Sequence, residues 1–181
     1  MSDRVPDGWT VRSNDWMVHE QIRKLALRYA LAVDRRDLDL LVSLFVDDVN
    51  VGARGTGREA LRAEFDESLR AIGVSMLFVG NHLIDRDEQD SNKATGIVYC
   101  RARIQPEPDS TRMIEQAIQY SDRYECRDGR WYFVGRKHEL FWGVELAEQP
   151  LTQPPANWPV SQVGVGTIPH RYDSWQRFWG A

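Results

Sequence analysis

The sequence predicts an α+β domain in which three helices precede a curved antiparallel sheet. From Asn14 to Ile72, apolar residues recur at steps of three and four, as they do on one face of a helix. From Val74 onward the pattern becomes that of extended strands. The chain has 181 residues, 42% of them hydrophobic, which is enough for one domain with a sizeable core.

The first helix is predicted from Asn14 to Asp34. Its apolar residues fall three or four positions apart and form a single stripe. The stripe consists of Val18, Ile22, Leu25, Tyr29 and Val33. The charged run from Asp34 to Asp37 then interrupts the stripe and ends the helix.

Two shorter helices are predicted to follow. One runs from Leu38 to Phe45, ahead of a short strand near Val49–Val51. The other begins at Thr56 and Glu59, whose spacing is typical of a capping box. Gly73 stands where the end of a helix favours a residue that tolerates positive φ. This stretch therefore contains three helices before the sheet begins.

Four strands are predicted after residue 73, each rich in branched and aromatic residues. They span Val74–Asp85, Ala94–Ile104, Arg112–Glu125 and Trp131–Trp142. The dipeptide Asp128-Gly129, a strong hairpin signal, joins the last two strands. Consecutive strands with short links pair antiparallel, so the pattern predicts a meander.

The chain is predicted to divide into a domain with an arm at each end. Residues 1–13 form the N-terminal arm, 14–144 the domain and 145–181 the C-terminal arm. Five of the eight prolines lie in the C-terminal arm, together with Trp158, Trp175 and Trp179. Because aromatic residues supply the burial that disordered segments lack, this arm is predicted to be ordered but irregular and to pack on the domain or a neighbouring subunit.

Composition argues against several classes of function. A net charge of −4 without a basic block argues against a nucleic-acid partner. No stretch reaches the roughly 20 apolar residues of a membrane span. Cys100 and Cys126 form neither a zinc pattern nor a disulfide framework, and the four histidines are scattered. We therefore expect a cytoplasmic protein without a metal.

Three parts of the chain resemble a known family. They are the string from Ile22 to Asp48, the segment Val79 to Ile84, and Tyr120 to Tyr124 followed by Asp128 to Trp131. All three resemble SnoaL-like proteins of the nuclear-transport-factor-2-like superfamily, over about residues 15–143. The resemblance implies a cone-shaped sheet around a hydrophobic pocket, closed at one end by the helices, and chemistry without a metal or organic cofactor.

The family resemblance implies two kinds of function. Its lyases include dehydratases of scytalone and bile acids and a dehydrochlorinase of a chlorinated cyclohexane, and polyketide cyclases also belong to it. The first expectation is therefore a lyase or isomerase acting on a hydrophobic ring-containing molecule, such as a steroid, polyketide or aromatic-pathway intermediate. The small subunits of ring-hydroxylating dioxygenases also belong here, so the alternative is a non-catalytic ligand-binding protein or subunit. Family habit further implies a homo-oligomer, with Trp142 and the C-terminal arm as candidate contacts.

Lyases of this family use an aspartate–histidine dyad, often helped by a tyrosine. Asp34 matches the aspartate and Tyr29 the tyrosine. In these roles Asp34 would stabilise a histidinium, and Tyr29 would assist a leaving hydroxyl. The plainer alternatives are a solvated helix-end residue for Asp34 and, given its spacing from Leu25 and Val33, a core residue for Tyr29.

The dyad histidine has no simple counterpart. The family register places it at Leu77, which cannot accept a proton. His82, expected on the same face as Met76, Phe78 and Ile84, could replace it only if the strand bulges or shifts register. A structural histidine among apolar neighbours is the alternative for His82.

Further residues are predicted to line the pocket and bind the ligand. Alternation places His138 on the face of Val134, Leu140 and Trp142, where it could act as a replacement base or hydrogen-bond a ligand. Tyr99 and Tyr120 would bind a polar edge of an apolar ligand, together with Phe78.

Two acidic residues of the third strand are ambiguous from the sequence. Glu115 and Asp122 are expected either to be solvated or to pair with Arg101 and Arg103 of the second strand. The two arginines themselves fit surface or dimer contacts better than a ligand site.

Overall fold

The computed structural model describes residues 13–147, 150–152 and 166–180. The N-terminal arm up to residue 12 and the part of the C-terminal arm around Trp158 lie outside the described residues. The helices are α1 (Ser13–Arg35), α2 (Leu38–Ser43), α3 (Arg58–Arg70) and α4 (Asp173–Trp179). The strands are β1 (Ser75–Arg86), β2 (Lys93–Ile104), β3 (Ile114–Arg127) and β4 (Arg130–Glu145). Single 3-10 turns lie at Gly52–Arg54 and Pro150–Thr152.

The four strands form one antiparallel sheet in the order β1-β2-β3-β4. Asp128 and Gly129, with φ of 52° and 76°, close a two-residue turn between the paired residues Arg127 and Arg130. These left-handed residues match the right-handed twist of the strands they join. The predicted α+β fold with a curved antiparallel sheet is confirmed.

Two predictions in the helical part are wrong. No strand forms at Val49–Val51, because the chain makes only an isolated bridge there, between Asn50 and Thr56. Thr56 is occupied by that bridge, and α3 begins instead after Gly57, whose φ is 101° and which has no side-chain cap. Thr56 and Glu59 therefore do not form a capping box.

Gly73 has a different role from the one predicted. The residue that caps the end of α3 is Ala71, in a right-handed conformation. Gly73 instead lies against Gln105, where its amide donates to the Gln105 carbonyl at 3.0 Å. A Cβ atom on Gly73 would collide with the Gln105 side chain, so close approach is what requires glycine.

The core lies between the inner face of the sheet and the helices. Its largest cluster joins α1 to the end of the sheet that carries the β1–β2 and β3–β4 turns. It includes Ile22, Leu25, Phe45, Tyr124 and Phe133. Among the described residues, no helix is both long and apolar enough to cross a membrane.

Contrary to the prediction, the C-terminal arm is not irregular throughout, because its described part contains the helix α4, which packs against the end of α1. Phe178 belongs to a buried cluster with Val33 and Leu69. The Ser174 hydroxyl donates to the carbonyl of Arg35 at 2.8 Å, which ties the start of α4 to the last residue of α1. Asp34, a candidate site residue, lies at this same end of α1.

Candidate functional site

A bulge in β1 decides which of its side chains point inward. Val79 pairs with Cys100 and His82 with Val98, so two residues of β1 lie opposite one residue of β2. Before the bulge the inward residues have odd numbers, as with Leu77, and after it they have even numbers, as with His82. The bulge thus turns His82 inward. A bulge was the condition under which His82 could replace the dyad histidine.

The same bulge contradicts part of the predicted pocket. Met76 and Phe78 lie on the outer face, with 56% and 67% of their surfaces exposed, so they do not share a face with His82. Tyr99 is also on the outer face, in edge contact with Phe141. Phe78 and Tyr99 therefore do not line the inner cavity. The bulge explains Phe78, whereas β2 has no bulge and Tyr99 simply lies on the face opposite to the buried Val98 and Cys100. Trp142, expected on the face of His138, also lies on the outer face, because another register shift in β4 lies between them.

The inner cavity lies between α1, α3 and the sheet and has a volume of about 130 Å³. Most of its lining is apolar. The polar or titratable groups that reach it from different elements include Tyr29 of α1, Ser75 of β1, Tyr120 of β3 and His138 of β4. Leu77 also lines it. A mostly apolar cavity with a few convergent polar groups is the usual form of a small-molecule site.

Asp34, at the end of α1, is held by two hydrogen bonds. Its Oδ1 accepts from the Ser75 hydroxyl and its Oδ2 from the Leu77 amide, both at 3.0 Å. Burial raises the pKa of the Asp34 carboxyl to about 6. No histidine is among its hydrogen-bond partners in the described part of the chain. Leu77, which the family resemblance aligns with the dyad histidine, donates its amide to Asp34 and lines the cavity.

Tyr29 and Tyr120 form the polar edge of the cavity. Their ring centroids are 6.0 Å apart in an edge-on arrangement. Burial raises the pKa of both phenols, so both carry their protons at neutral pH. Neither hydroxyl is hydrogen-bonded to any residue that the structure describes. Each can therefore donate to a ligand.

His138 completes this edge from the opposite strand. It pairs with Tyr120, and the centroids of their rings are 5.6 Å apart. Partial burial lowers the pKa of the His138 imidazole, so it is neutral and able to accept a proton at pH 7. The structure thus brings Tyr29, Tyr120 and His138 together at the cavity, whereas Asp34 does not line it but is hydrogen-bonded to two residues that do, Ser75 and Leu77.

A buried ion pair lies deeper in the cone. Nε and Nη2 of Arg136 donate to the two carboxylate oxygens of Asp122 at 2.8 and 2.7 Å. The Arg136 guanidinium also lies 4.4 Å from the Tyr29 ring centroid, 4.2 Å from that of Tyr120 and 4.5 Å from that of Phe133. A positive charge beneath two phenols strengthens their hydroxyls as donors.

His82 belongs to this deeper network and not to the cavity. Its Nε2 lies 3.1 Å from the Tyr124 hydroxyl, which in turn donates to Asp122 at 2.7 Å. The Tyr124 proton is used in that bond, so His82 must donate to the phenol oxygen. Burial lowers the pKa of His82 to about 4. Asp34 and His82 make no direct contact with each other.

Sequence reasoning missed three residues of this arrangement: Ser75, Asp122 and Arg136. Glu115 does pair with Arg101 and Arg103 on the outer face, one of the two outcomes foreseen for it. Asp122 pairs with Arg136 instead. If the strands paired regularly from the Asp128-Gly129 turn, Asp122 would lie opposite residue 135. An extra residue in β4, near residue 134, shifts the pairing by one, so Asp122 lies opposite Arg136.

No group of three or more metal-binding side chains occurs in residues 13–147, 150–152 and 166–180.

Comparison with known proteins places this site inside a recognised domain. Residues 17–137 match the model of the SnoaL-like domain family. A search of curated proteins found no significant match.

Solved structures share the fold at low sequence identity. The dehydrochlorinase LinA is 23% identical, with a TM-score of 0.63 over 74% of this chain and 92% of LinA. The type 3 hexachlorocyclohexane dehydrochlorinase of Novosphingobium barchaimii is 21% identical, with a TM-score of 0.62 over 74% and 93%. A candidate scytalone dehydratase of Novosphingobium aromaticivorans is 20% identical, with a TM-score of 0.61 over 74% and 91%.

Proposed function

Because this chain belongs to the SnoaL-like domain family, we propose that it is a cofactor-independent lyase or isomerase of hydrophobic ring-containing small molecules. The observation that carries this proposal is the inner cavity, where the phenols of Tyr29 and Tyr120 meet the neutral imidazole of His138. The names of similar structures, a hexachlorocyclohexane dehydrochlorinase and a candidate scytalone dehydratase, support the same reaction class.

The size of the cavity favours a single ring as the part of the substrate that it holds. Its volume is about 130 Å³, and an apolar cavity of about 150 Å³ is known to accept benzene. A steroid would have to extend well beyond this space. We therefore favour substrates with one six-membered ring and small polar substituents.

In the proposed reaction, His138 removes a proton from a ring carbon next to a carbonyl or a leaving group. The electron pair of that C–H bond forms the new double bond, and the leaving group departs with the electrons of its own bond. A halide leaves as the anion, and His138 then loses its proton to water. A hydroxyl takes the proton of a phenol and leaves as water, and the proton on His138 then restores the phenol. Tyr29 and Tyr120 supply that proton or hydrogen-bond the oxygen on which charge develops. Asp34 acts on this site indirectly, by holding Ser75 and Leu77 of the cavity wall through hydrogen bonds.

This proposal is tested by elimination from hydroxylated and halogenated six-membered-ring compounds. His138→Gln should lower kcat/KM by about 10²- to 10⁴-fold, because general base catalysis typically contributes that much. His170→Gln is the matched control, since this exposed histidine lies outside the cavity, and it should keep the full rate. An unchanged rate in His138→Gln would remove His138 from the mechanism.

A non-catalytic binding protein is the second candidate, favoured by one observation. Leu77 fills the position of the family histidine, and Asp34 bonds to its amide and to Ser75 instead of an imidazole. If binding is the function, native mass spectrometry of the purified protein should detect one small apolar molecule that is released unchanged. Turnover of any ring compound that is lost in His138→Gln would argue against this candidate.

We also propose a homodimer that forms through the outer face of the sheet. Large apolar side chains are exposed there: Met76, Phe78, Phe141, Trp142 and Val144. The Glu115 carboxylate among them is already paired within the chain, with Arg101 and Arg103. A face with this many exposed apolar side chains suits a second copy of itself.

Light scattering should give twice the chain mass for the native protein, and Phe78→Lys should give the monomer. Lys24→Glu, an exposed charge change on α1 and away from the outer face of the sheet, is the control and should remain dimeric. A monomeric native protein would contradict this assembly.

The two free cysteines fit the reducing cytoplasm that we propose as the location of the protein.

A further inference from the structure

We propose that Ser75 is a positioning residue for Asp34, with its hydroxyl held in one orientation by the guanidinium of Arg36. The inference deepens the proposed function, and it rests on that function only in giving Asp34 a role in the chemistry. The geometric part concerns three side chains that meet where α1 ends and β1 begins.

The direction of each hydrogen bond follows from the chemistry of the donors. Nη1 of Arg36 lies 3.0 Å from the Ser75 oxygen, and that oxygen lies 3.0 Å from Oδ1 of Asp34. A guanidinium can only donate, so the Ser75 oxygen accepts from it. The single proton of the Ser75 hydroxyl is then directed to the Asp34 carboxylate.

Arg36 is itself held firmly, which makes this arrangement more than a chance contact. It is 2% exposed and has a left-handed φ of 55°, a conformation that a non-glycine residue keeps only under strong constraint. Its guanidinium donates to the carbonyls of Val33 at 2.6 Å, Ile72 at 3.3 Å and Gly73. The Trp175 ring of α4 covers it, with the centroid 4.8 Å from Cζ. The C-terminal helix thus shields the residue that orients Ser75.

Among the groups around Asp34, the Ser75 hydroxyl is the contact that a substitution can test. Arg35 and Arg36 provide the charges that act on the carboxylate, and Cys100 of β2 is the other titratable group that senses it. The amide of Leu77 is fixed by the backbone of β1. Within residues 13–147, 150–152 and 166–180, Ser75 is the only side chain whose hydrogen bond to Asp34 can be removed by one substitution.

The test is a carbon-13 NMR titration of the Asp34 carboxyl in the full chain. Ser75→Ala removes the hydroxyl and should raise the pKa of Asp34 from about 6 to about 7, a tenfold gain in proton affinity. Ser75→Thr keeps the hydroxyl and should restore the native value. Ser174→Ala is the matched control, since this hydroxyl binds the Arg35 carbonyl in the same corner without touching Asp34.

The inference is overturned if Ser75→Ala leaves the pKa of Asp34 unchanged, or if Ser174→Ala raises it equally. A failure of the proposed function would look different. In that case the native protein would turn over none of the ring substrates, whatever the titration shows. The pKa readout does not depend on knowing the substrate, so the two results can be separated.

Discussion

Replacing Asp34 by asparagine is expected to raise the free energy of unfolding at pH 7.5 by about 2 kcal/mol while lowering turnover. Burial raises the pKa of Asp34 from 3.8 to about 6, so the folded state is destabilised by about 3 kcal/mol when this carboxyl is ionised. The asparagine amide can keep the Leu77 bond but weakens the bond to Ser75, at a cost of about 1 kcal/mol.

The pH dependence gives this prediction a definite sign. A carboxyl whose pKa is raised on folding stabilises the protein fully below its unfolded pKa, and this stabilisation is lost as the pH rises through about 6. The advantage of Asp34→Asn should therefore be small near pH 4 and complete by pH 7. His82, whose low pKa acts in the opposite direction, is present in both proteins and cancels in the difference.

Urea denaturation of both proteins between pH 4 and 8 measures this difference. Asp39→Asn is the control: its side chain is 85% exposed and bound only to Arg62, so we expect a change below about 0.5 kcal/mol. An Asp34→Asn protein that is less stable than the native one by the same amount at every pH would contradict the prediction.

Replacing Asp122 by alanine is expected to cost about 3–5 kcal/mol of stability. The Arg136 side chain is only 5% exposed and that of Asp122 is fully buried, so the substitution leaves an unpaired guanidinium inside the cone. It also removes the acceptor of the Tyr124 hydroxyl. Thermal and urea unfolding would both register a loss of this size.

Two further variants separate the buried charge from simple loss of packing. Asp122→Leu combined with Arg136→Met removes both charges and should be more stable than Asp122→Ala alone. Glu115→Ala removes a carboxylate from the same strand, but its partners Arg101 and Arg103 are more than half exposed, so about 1 kcal/mol is expected. Equal losses for Asp122→Ala and Glu115→Ala would contradict the account of the buried pair.

Regular patterns in the sequence were enough to predict the elements of the fold. The stripe from Val18 to Val33 predicts α1 because a helix of that length needs one continuous buried face. Asp128-Gly129 predicts the hairpin because few other pairs accept two left-handed residues in succession. These features are local, so no knowledge of distant contacts is required.

The candidate site was only partly predictable, because strand bulges change which side chains point inward. Tyr120 was placed in the cavity correctly, whereas Phe78 and Tyr99 were placed there wrongly. Gly80 lies within the bulge of β1 and was the available signal, since an isolated glycine in a strand often marks one. The pairing of Asp122 with Arg136 depends on a bulge of β4 at Val134, and the neighbouring Gly135 was a comparable signal for it.

The role of Ser75 could not be predicted at all. Its contacts with Asp34 and Arg36 join residues about 40 positions apart in the chain. No periodic pattern reports such a contact, because it depends on how α1 and β1 are packed together. Family resemblance identified Asp34 but not the residue that orients it.

The central claim is that His138, in the inner cavity, removes a proton from a ring carbon. Deuterium exchange in heavy water tests this claim most directly. A panel of six-membered cyclic ketones is incubated with the native protein, and deuterium at the carbon next to the carbonyl is followed by NMR. We expect exchange well above the buffer rate for at least one ketone, abolished in His138→Gln and retained in His170→Gln. Exchange at the buffer rate for the whole panel, or equal exchange in native protein and His138→Gln, would contradict the account.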